Sequence, residues 1–201
     1  MKTSMKNIIV NQLQHSISVK ELILKDKDIL TKIEQASVEI IRAYRSGKKT
    51  LLAGNGGSAA DAQHIVAEFV SKFYFDRPGL PSIALSTNTS ILTAIGNDYD
   101  YEYLFARQVE TNGVEGDIFI GISTSGNSKN IVEALKTCKQ KKIYTIGLTG
   151  NEHGCMDEYC DICIKVPSTE TPRIQECHIL IGHIICCIVE EQLFGHLKKE
   201  K

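Results

Sequence analysis

Apolar side chains recur at helical spacing in residues 6–46, most clearly at Ile29, Ile33 and Ile40. Gly47 follows this stretch, and glycine is common just past the C-terminus of a helix. The pattern predicts two helices, which form an N-terminal helical arm that we define as residues 1–46. No predicted strand adjoins the arm, so its apolar face needs another surface to cover it, and a partner subunit is one candidate.

Beyond Gly47 the pattern changes to short continuous apolar runs that alternate with amphipathic helices. The predicted strands are residues 50–53, 82–85, 117–122, 143–148 and 162–166, and the clearest helices are residues 61–73, 130–139 and 172–194. Continuously apolar strands separated by helices indicate a parallel sheet that is covered on both faces. Residues 47–201 therefore predict one compact α/β unit, a doubly wound five-stranded parallel sheet in flavodoxin-like order.

Charge and composition exclude several classes of function. The formal net charge of the 201 residues is -1, so we expect no nucleic-acid or membrane partner. No run of about 18 apolar residues predicts a transmembrane helix, and the apolar run at 8–10 is too short for a signal peptide. We therefore expect a cytoplasmic protein with reduced thiols. The C-x-x-C spacing of Cys160 and Cys163 occurs once and is weak evidence for a metal or redox site.

Two polar loops follow predicted strands, at the sheet edge where ligands bind in such folds. The first reads Gly54-Asn55-Gly56-Gly57-Ser58, whose glycines allow the backbone to approach an anion at the start of the next helix. A tight strand-to-helix turn is the alternative interpretation of this glycine-rich segment.

The second loop, residues 123–128, reads Ser-Thr-Ser-Gly-Asn-Ser and also precedes a helix. Hydroxyl groups and free helix N–H groups bind a phosphate without any lysine. Helix capping needs only one serine or threonine, so this density of hydroxyls favours a phosphate site. The predicted contacts are Ser123, Thr124, Ser125 and Ser128.

His64 and Glu68 lie four residues apart and so share one face of a predicted helix. An imidazole and a carboxylate at this spacing suit zinc or another transition metal, although such a pair alone is usually surface decoration. The last helix adds Gln175, Glu176, His178 and His183 among apolar residues. A histidine in such surroundings is either a satisfied core residue or a ligand.

Taken together, these motifs resemble the phosphoheptose isomerases, a family with the sugar isomerase (SIS) fold. The resemblance covers residues 6–195 in order, without large gaps. The segments that carry it are 54–58, 61–64 with Glu68, 96–98, 121–128, and 173–176 with His183. Of these, we expect segment 96–98 to lie where a strand leads into a loop.

The resemblance implies a homotetramer with active sites near subunit interfaces. It also implies one zinc ion per subunit, on the positions of His64, Glu68, Gln175 and His183. The implied reaction converts sedoheptulose 7-phosphate to D-glycero-D-manno-heptose 7-phosphate, the first step of heptose supply for bacterial surface polysaccharide. The expected substrate-binding set is Asn55, Gly56, Gly57, Ser58, Glu68, Asn97, Asp98, Ser123, Thr124, Ser125, Ser128 and Gln175.

Ketose–aldose isomerisation needs a base, an acid and positive charge near the developing oxyanion. Glu68 and His183 are the natural acid–base candidates, and which of them abstracts the proton stays open. Gln175 and His183 are ~12 Å apart along a straight helix and ~80° apart around it. To share one ion, their side chains would have to stretch, the helix bend, or two protomers contribute. Glu176, only ~20° from His183 around the helix, is better aligned.

Two other functions share much of this pattern. A non-enzymatic SIS module would sense a sugar phosphate or bind a replication-initiator protein, but the family resemblance indicates that such a module lacks the pair at Glu68 and His183. An isomerase acting on pentose phosphates is the second alternative, because the motifs do not fix the number of carbons.

Overall fold

The computed structural model describes residues 4–198, so the first three residues of the predicted arm and the last three of the predicted 47–201 unit lie outside the described residues. Helices α1 (Met5–Lys25) and α2 (Lys27–Arg45) come first. The remaining elements are β1 (Thr50–Gly54), α3 (Gly57–Val70), β2 (Ser82–Ala84), α4 (Thr89–Asp98), α5 (Ala106–Asn112), β3 (Ile118–Ile122), α6 (Lys129–Gln140), β4 (Tyr144–Thr149), β5 (Ile162–Lys165) and α7 (Thr171–Phe194).

All five strands are parallel and stand in the order β2-β1-β3-β4-β5. This confirms the predicted doubly wound sheet. Strands β1 and β3 are buried along their whole length, which explains their continuous apolar sequence. The order reverses between them, and Gly54 pairs with Ile122 in register. The two polar loops therefore leave the sheet side by side, at the switch point where doubly wound folds bind ligands.

The two helices of the predicted arm differ in how they are covered. In α2, Ile29, Ile33 and Ile40 are buried in the same core cluster as the sheet and α7. In α1, only Val19 and Ile23 are buried. The apolar side chains that α1 leaves exposed include Met5, Ile8, Ile9, Leu13, Ile17 and Leu24. Helix α2 thus belongs to the core of the α/β unit, and α1 carries the open apolar face.

Two predicted details are wrong. Helix α3 begins at Gly57 instead of residue 61 and ends at Val70 instead of residue 73, because Gly56, at φ +55°, turns the chain straight from β1 into the helix. The segment 96–98 was expected where a strand leads into a loop. It forms the end of α4 instead, a helix that the Asn88 side chain caps by accepting a hydrogen bond from the backbone N–H of Ile91.

Among the described residues, the stretch Thr171–Leu197, which contains α7, is the one helical stretch long and apolar enough to cross a membrane. One side of α7 is buried, including Ile174, Ile181, Ile185 and Val189. That side packs against α2 and α3 in the core. The apolar composition of α7 is therefore that of a core helix.

Candidate active site

A reciprocal pair of amides joins the two polar loops. The side chains of Asn55 and Asn130 exchange two N–H···O hydrogen bonds, each 2.9 Å long. The Tyr101 hydroxyl donates a third bond to Oδ1 of Asn55, at 3.0 Å. Asn130 lies in the first turn of α6, so the pair holds the end of β1 against the N-terminus of that helix. Neither Asn130 nor Tyr101 was predicted, because each lies outside the motif that it completes.

The hydroxyl-rich loop keeps its helix N-terminus open. The Ser128 hydroxyl bonds to that of Ser123 at 2.8 Å and makes no capping bond to α6. Helix capping therefore does not explain this loop, and the free N–H groups at the start of α6 face the loop as anion donors. Gly126 takes the left-handed conformation, with φ +66°. Its carbonyl accepts the backbone N–H of Met156 at 3.0 Å, which braces the loop from behind.

A cavity of about 650 Å³ opens where the two loops meet. Its lining residues are Asn55, Asp100, Tyr101, Glu102, Ser128, Lys129 and Asn130. The Lys129 ammonium is exposed and lies 3.9 Å from the Glu102 carboxylate. The cavity therefore offers amide, hydroxyl and cationic groups, together with two carboxylates, beside the predicted phosphate loop. The sequence analysis does not predict Lys129 as a site residue, because hydroxyl and helix N–H groups are sufficient to bind an anion there.

Three ionisable side chains converge between α3 and α7. His64 Nε2 lies 3.2 Å from Glu68 Oε1 and 3.0 Å from His183 Nε2, and all three groups offer ligand atoms within 4.8 Å of one another. Two imidazole nitrogens and one carboxylate oxygen form a donor set that suits zinc, with room for a further ligand. The side chains of His64 and Glu68 are 50% and 24% exposed, so the cluster opens to the surface of the single chain.

Gln175 and Glu176 each contact another part of the chain. The Gln175 amide rests against Gly57, where an added Cβ would lie 2.6 Å from its Nε2 atom. Gln175 of α7 therefore contacts the start of α3, at Gly57, which is seven residues before His64. The Glu176 carboxylate accepts a hydrogen bond from Lys20 of α1 at 3.1 Å, so its better helical alignment with His183 does not make it a fourth ligand here.

The predicted residues Asn97 and Asp98 lie on an exposed helix end. The Asn97 side chain donates a hydrogen bond to Asp98 at 2.8 Å, and α4 buries no residue. Among the described residues, neither side chain makes a hydrogen bond to the loops or to the cluster, and their substrate-binding role stays a prediction. By contrast Asp61, one turn before His64, has a buried carboxylate oxygen with no hydrogen-bond partner among the described residues. Burial raises the pKa of Asp61 to about 6, and the nearby His64 opposes this rise.

His178 is a core histidine with one of its two ring nitrogens hydrogen-bonded. It is fully buried, and its Nε2 bonds to the carbonyl of Thr149 at 3.1 Å. Nδ1 of His178 has no partner among the described residues. The next residue after Thr149, Gly150, donates its N–H to the Thr124 carbonyl at 3.0 Å. His178 therefore ties α7 to the strand end that supports the phosphate loop.

Acid is expected to destabilise the protein through His178. Burial lowers the pKa of His178 to about 4, whereas the unfolded chain binds this proton near pH 6.5. The stability that neutral His178 contributes is complete above pH 6.5 and is lost as the pH falls towards 4, by on the order of 3 kcal/mol. Urea unfolding from pH 7 to 4 should show a shallower pH dependence for His178→Gln than for the wild type. His15→Gln, on exposed α1, is the control and should match the wild type; equal slopes for all three would contradict the prediction.

Comparison with known proteins adds an independent line of evidence. Residues 18–150 match the SIS domain family. The chain is 69% identical over 192 residues to phosphoheptose isomerase 2 of Campylobacter jejuni, covering 96% of both chains. It is 65% identical to the phosphoheptose isomerase of Aneurinibacillus thermoaerophilus, covering 94% of this chain and 96% of that one. A solved phosphoheptose isomerase from Francisella tularensis superposes with a TM-score of 0.90 at 34% identity, over 94% of this chain and all of that one.

Proposed function

The chain belongs to the phosphoheptose isomerase family of SIS-domain proteins, and we propose from this that it converts sedoheptulose 7-phosphate to D-glycero-D-manno-heptose 7-phosphate. The observation that carries the proposal is the contact between His183 of α7 and the pair His64 and Glu68 of α3. Helix α3 begins directly after the glycine-rich polar loop. A non-enzymatic sugar-phosphate sensor does not need an acid–base pair there. The enzyme would supply heptose for surface polysaccharide, and we place it in the cytoplasm with its phosphorylated substrate.

Helix α3 supports this assignment by its length. Ser58, in its first turn, and His64 are six residues apart, which is ~9 Å along the axis. An extended sugar phosphate bound with its phosphate at the loops would therefore bring its far end towards the cluster. We propose that Ser123, Ser125 and Ser128, with the N-terminus of α6, bind the phosphate. The amide of Gln175, at the start of α3, would contact the sugar between the two ends.

We further propose that His64, Glu68 and His183 hold one zinc ion per subunit. Bound zinc supplies a positive charge that polarises the substrate carbonyl. The Gln175 amide lies against Gly57, at the start of α3, so we assign it first to the substrate and second to the zinc as a fourth ligand. Glu68 and His183 divide the acid and base roles: one takes the proton from the carbon beside the carbonyl while the other protonates the carbonyl oxygen, which gives an enediol. A proton is then returned to the former carbonyl carbon while the neighbouring hydroxyl loses its own, which gives the aldose.

The direct test is to incubate the purified, zinc-loaded protein with sedoheptulose 7-phosphate and follow the aldose by NMR. We expect heptose 7-phosphate to accumulate, with much slower turnover of ribulose 5-phosphate as the pentose control. Binding of the heptulose phosphate without turnover would favour the sensor, and faster turnover of the pentose phosphate would favour the other isomerase.

We also propose that the protein is a homotetramer and that α1 contributes to its interfaces. The exposed apolar side of α1 and the half-open cluster both suit burial against another copy. Removing residues 1–25 should give a folded species with fewer subunits than the wild type, as measured by sedimentation at micromolar concentration. Removing residues 1–46 should instead cause aggregation, because α2 carries core residues. An unchanged number of subunits in the truncation that lacks residues 1–25, or a monomeric wild type, would contradict the proposal.

A further inference from the structure

A completely buried ion pair lies behind the acid–base cluster. The side chains of Arg77 and Glu190 are each 1% exposed, and Arg77 Nε lies 3.1 Å from Glu190 Oε1. The carboxylate also accepts the backbone N–H groups of Phe73 and Tyr74, both at 2.7 Å. Two buried charges cost free energy that well-packed apolar residues would not, so stability alone does not account for this pair.

The guanidinium of Arg77 caps the end of α3 at Glu68. It donates to the carbonyl of Glu68 at 2.7 Å and to that of Phe69 at 2.7 Å. The carbonyls in the last turn of a helix have no partner within the helix, and a cation is favourable beside them. Arg77 thus fixes the backbone of Glu68, from which the carboxylate of the cluster extends.

Glu190 fixes the other side of the cluster. It lies seven residues after His183 on α7, nearly two full turns, so the two side chains project from the same face of the helix. By binding the N–H of Phe73, Glu190 holds the chain segment whose ring packs on the His183 imidazole, with 5.6 Å between ring centroids. The ion pair therefore restrains Glu68 through the end of α3, and it restrains His183 through the ring of Phe73.

We propose that Arg77 and Glu190 are positioning residues for the isomerase reaction, setting the distance between the Glu68 carboxylate and the His183 imidazole. This inference rests on the proposed function. The pair acts by joining the C-terminal end of α3 to α7, and neither residue touches the substrate. Displacing catalytic groups by about 1 Å can cost on the order of 100-fold in rate.

The experiment compares two buried carboxylates with the same bonding. Asp117 is 1% exposed and, like Glu190, accepts two backbone N–H groups and one cation, from Lys49, Val114 and the Lys49 ammonium. It lies just before β3, and its hydrogen bonds go to Lys49 and Val114 and not to α3 or α7. Glu190→Gln and Asp117→Asn should both lower the melting temperature. Only Glu190→Gln should lower kcat, by roughly 10- to 100-fold, with KM changed less than about threefold because the phosphate loops are untouched.

Two further variants guard against loss of folding. Arg77→Lys keeps the charge but cannot reproduce the planar fork of donors, and it should lower kcat as Glu190→Gln does. Phe73→Leu removes the ring from His183 and leaves the ion pair in place. In metal-free protein, the His183 ring protons should shift in the NMR spectra of Glu190→Gln and Phe73→Leu, and stay unchanged in Asp117→Asn.

The proposal is overturned if Glu190→Gln and Asp117→Asn, corrected for their folded fractions, have the same kcat and the same His183 resonances. If Glu190→Gln does not fold, Arg77→Lys decides: wild-type kcat and wild-type His183 resonances in that variant would overturn it equally. The resonances do not depend on activity. A wild type that fails to isomerise sedoheptulose 7-phosphate would therefore refute the proposed function, while the shift of His183 would still decide whether the ion pair positions the cluster.

Discussion

Glu68→Gln is expected to lower turnover of sedoheptulose 7-phosphate by about 10²- to 10⁴-fold, the usual contribution of general acid–base catalysis. The amide keeps the shape of the side chain but neither takes up a proton nor carries the charge that faces His64 at 3.2 Å. The measurement is kcat together with the zinc content of the same preparation. Loss of both would make Glu68 chiefly a ligand, whereas retained zinc with lost turnover would make it the base.

Glu133→Gln is the matched control. Glu133 is also a half-buried helical carboxylate, 29% exposed, and it pairs with Lys136 on α6 away from the cluster. It should leave kcat and zinc unchanged. His183→Gln should behave like Glu68→Gln, and His153→Gln, at an exposed position, should not. Full activity in Glu68→Gln, or in protein stripped of metal, would show that the three side chains are only a solvated surface cluster.

Ser125→Ala combined with Ser128→Ala is expected to raise KM with a much smaller effect on kcat. Each lost hydrogen bond to a charged phosphate is worth about 1.5–3 kcal/mol, or roughly 10- to 150-fold in binding. The Ser128 hydroxyl already bonds to Ser123, so its loss also frees the neighbouring hydroxyl. For this reason the two effects should not simply add.

Thr137→Ala serves as the control for this pair. Thr137 lies further along α6, and its hydroxyl bonds to the Glu133 carbonyl one turn earlier. It should leave KM at the wild-type value, with a small change in melting temperature at most. Unchanged kinetics in the double serine variant would exclude the 123–128 loop as the phosphate site.

The sequence predicts those parts of this protein that depend on local patterns. The five strands follow from continuous apolar runs, and the phosphate loop follows from hydroxyls placed between a strand and a helix. The pairing of His64 with Glu68 follows from their four-residue spacing. Each of these signals lies within a few consecutive residues.

Contacts between distant parts of the chain were not predictable in the same way. Asn55 and Asn130 are 75 positions apart, and Phe73 and Glu190 are 117 apart. An arginine and a glutamate so far apart look like ordinary surface charges until the fold buries both. The unequal roles of α1 and α2 were hidden for the same reason, because both helices are amphipathic and only packing reveals which one meets the sheet.

The division of the site between α3 and α7 has a consequence for the nascent chain during translation. The nucleotides that encode His183 and Glu190 are among the last to be translated, long after both polar loops have left the ribosome. Helix α7 also carries core residues, and its His178 supports the strand end behind the phosphate loop. A nascent chain that folds from its N-terminus should therefore gain anion binding and catalytic competence together, once α7 has emerged. A message cut short before α7 should yield a chain with neither.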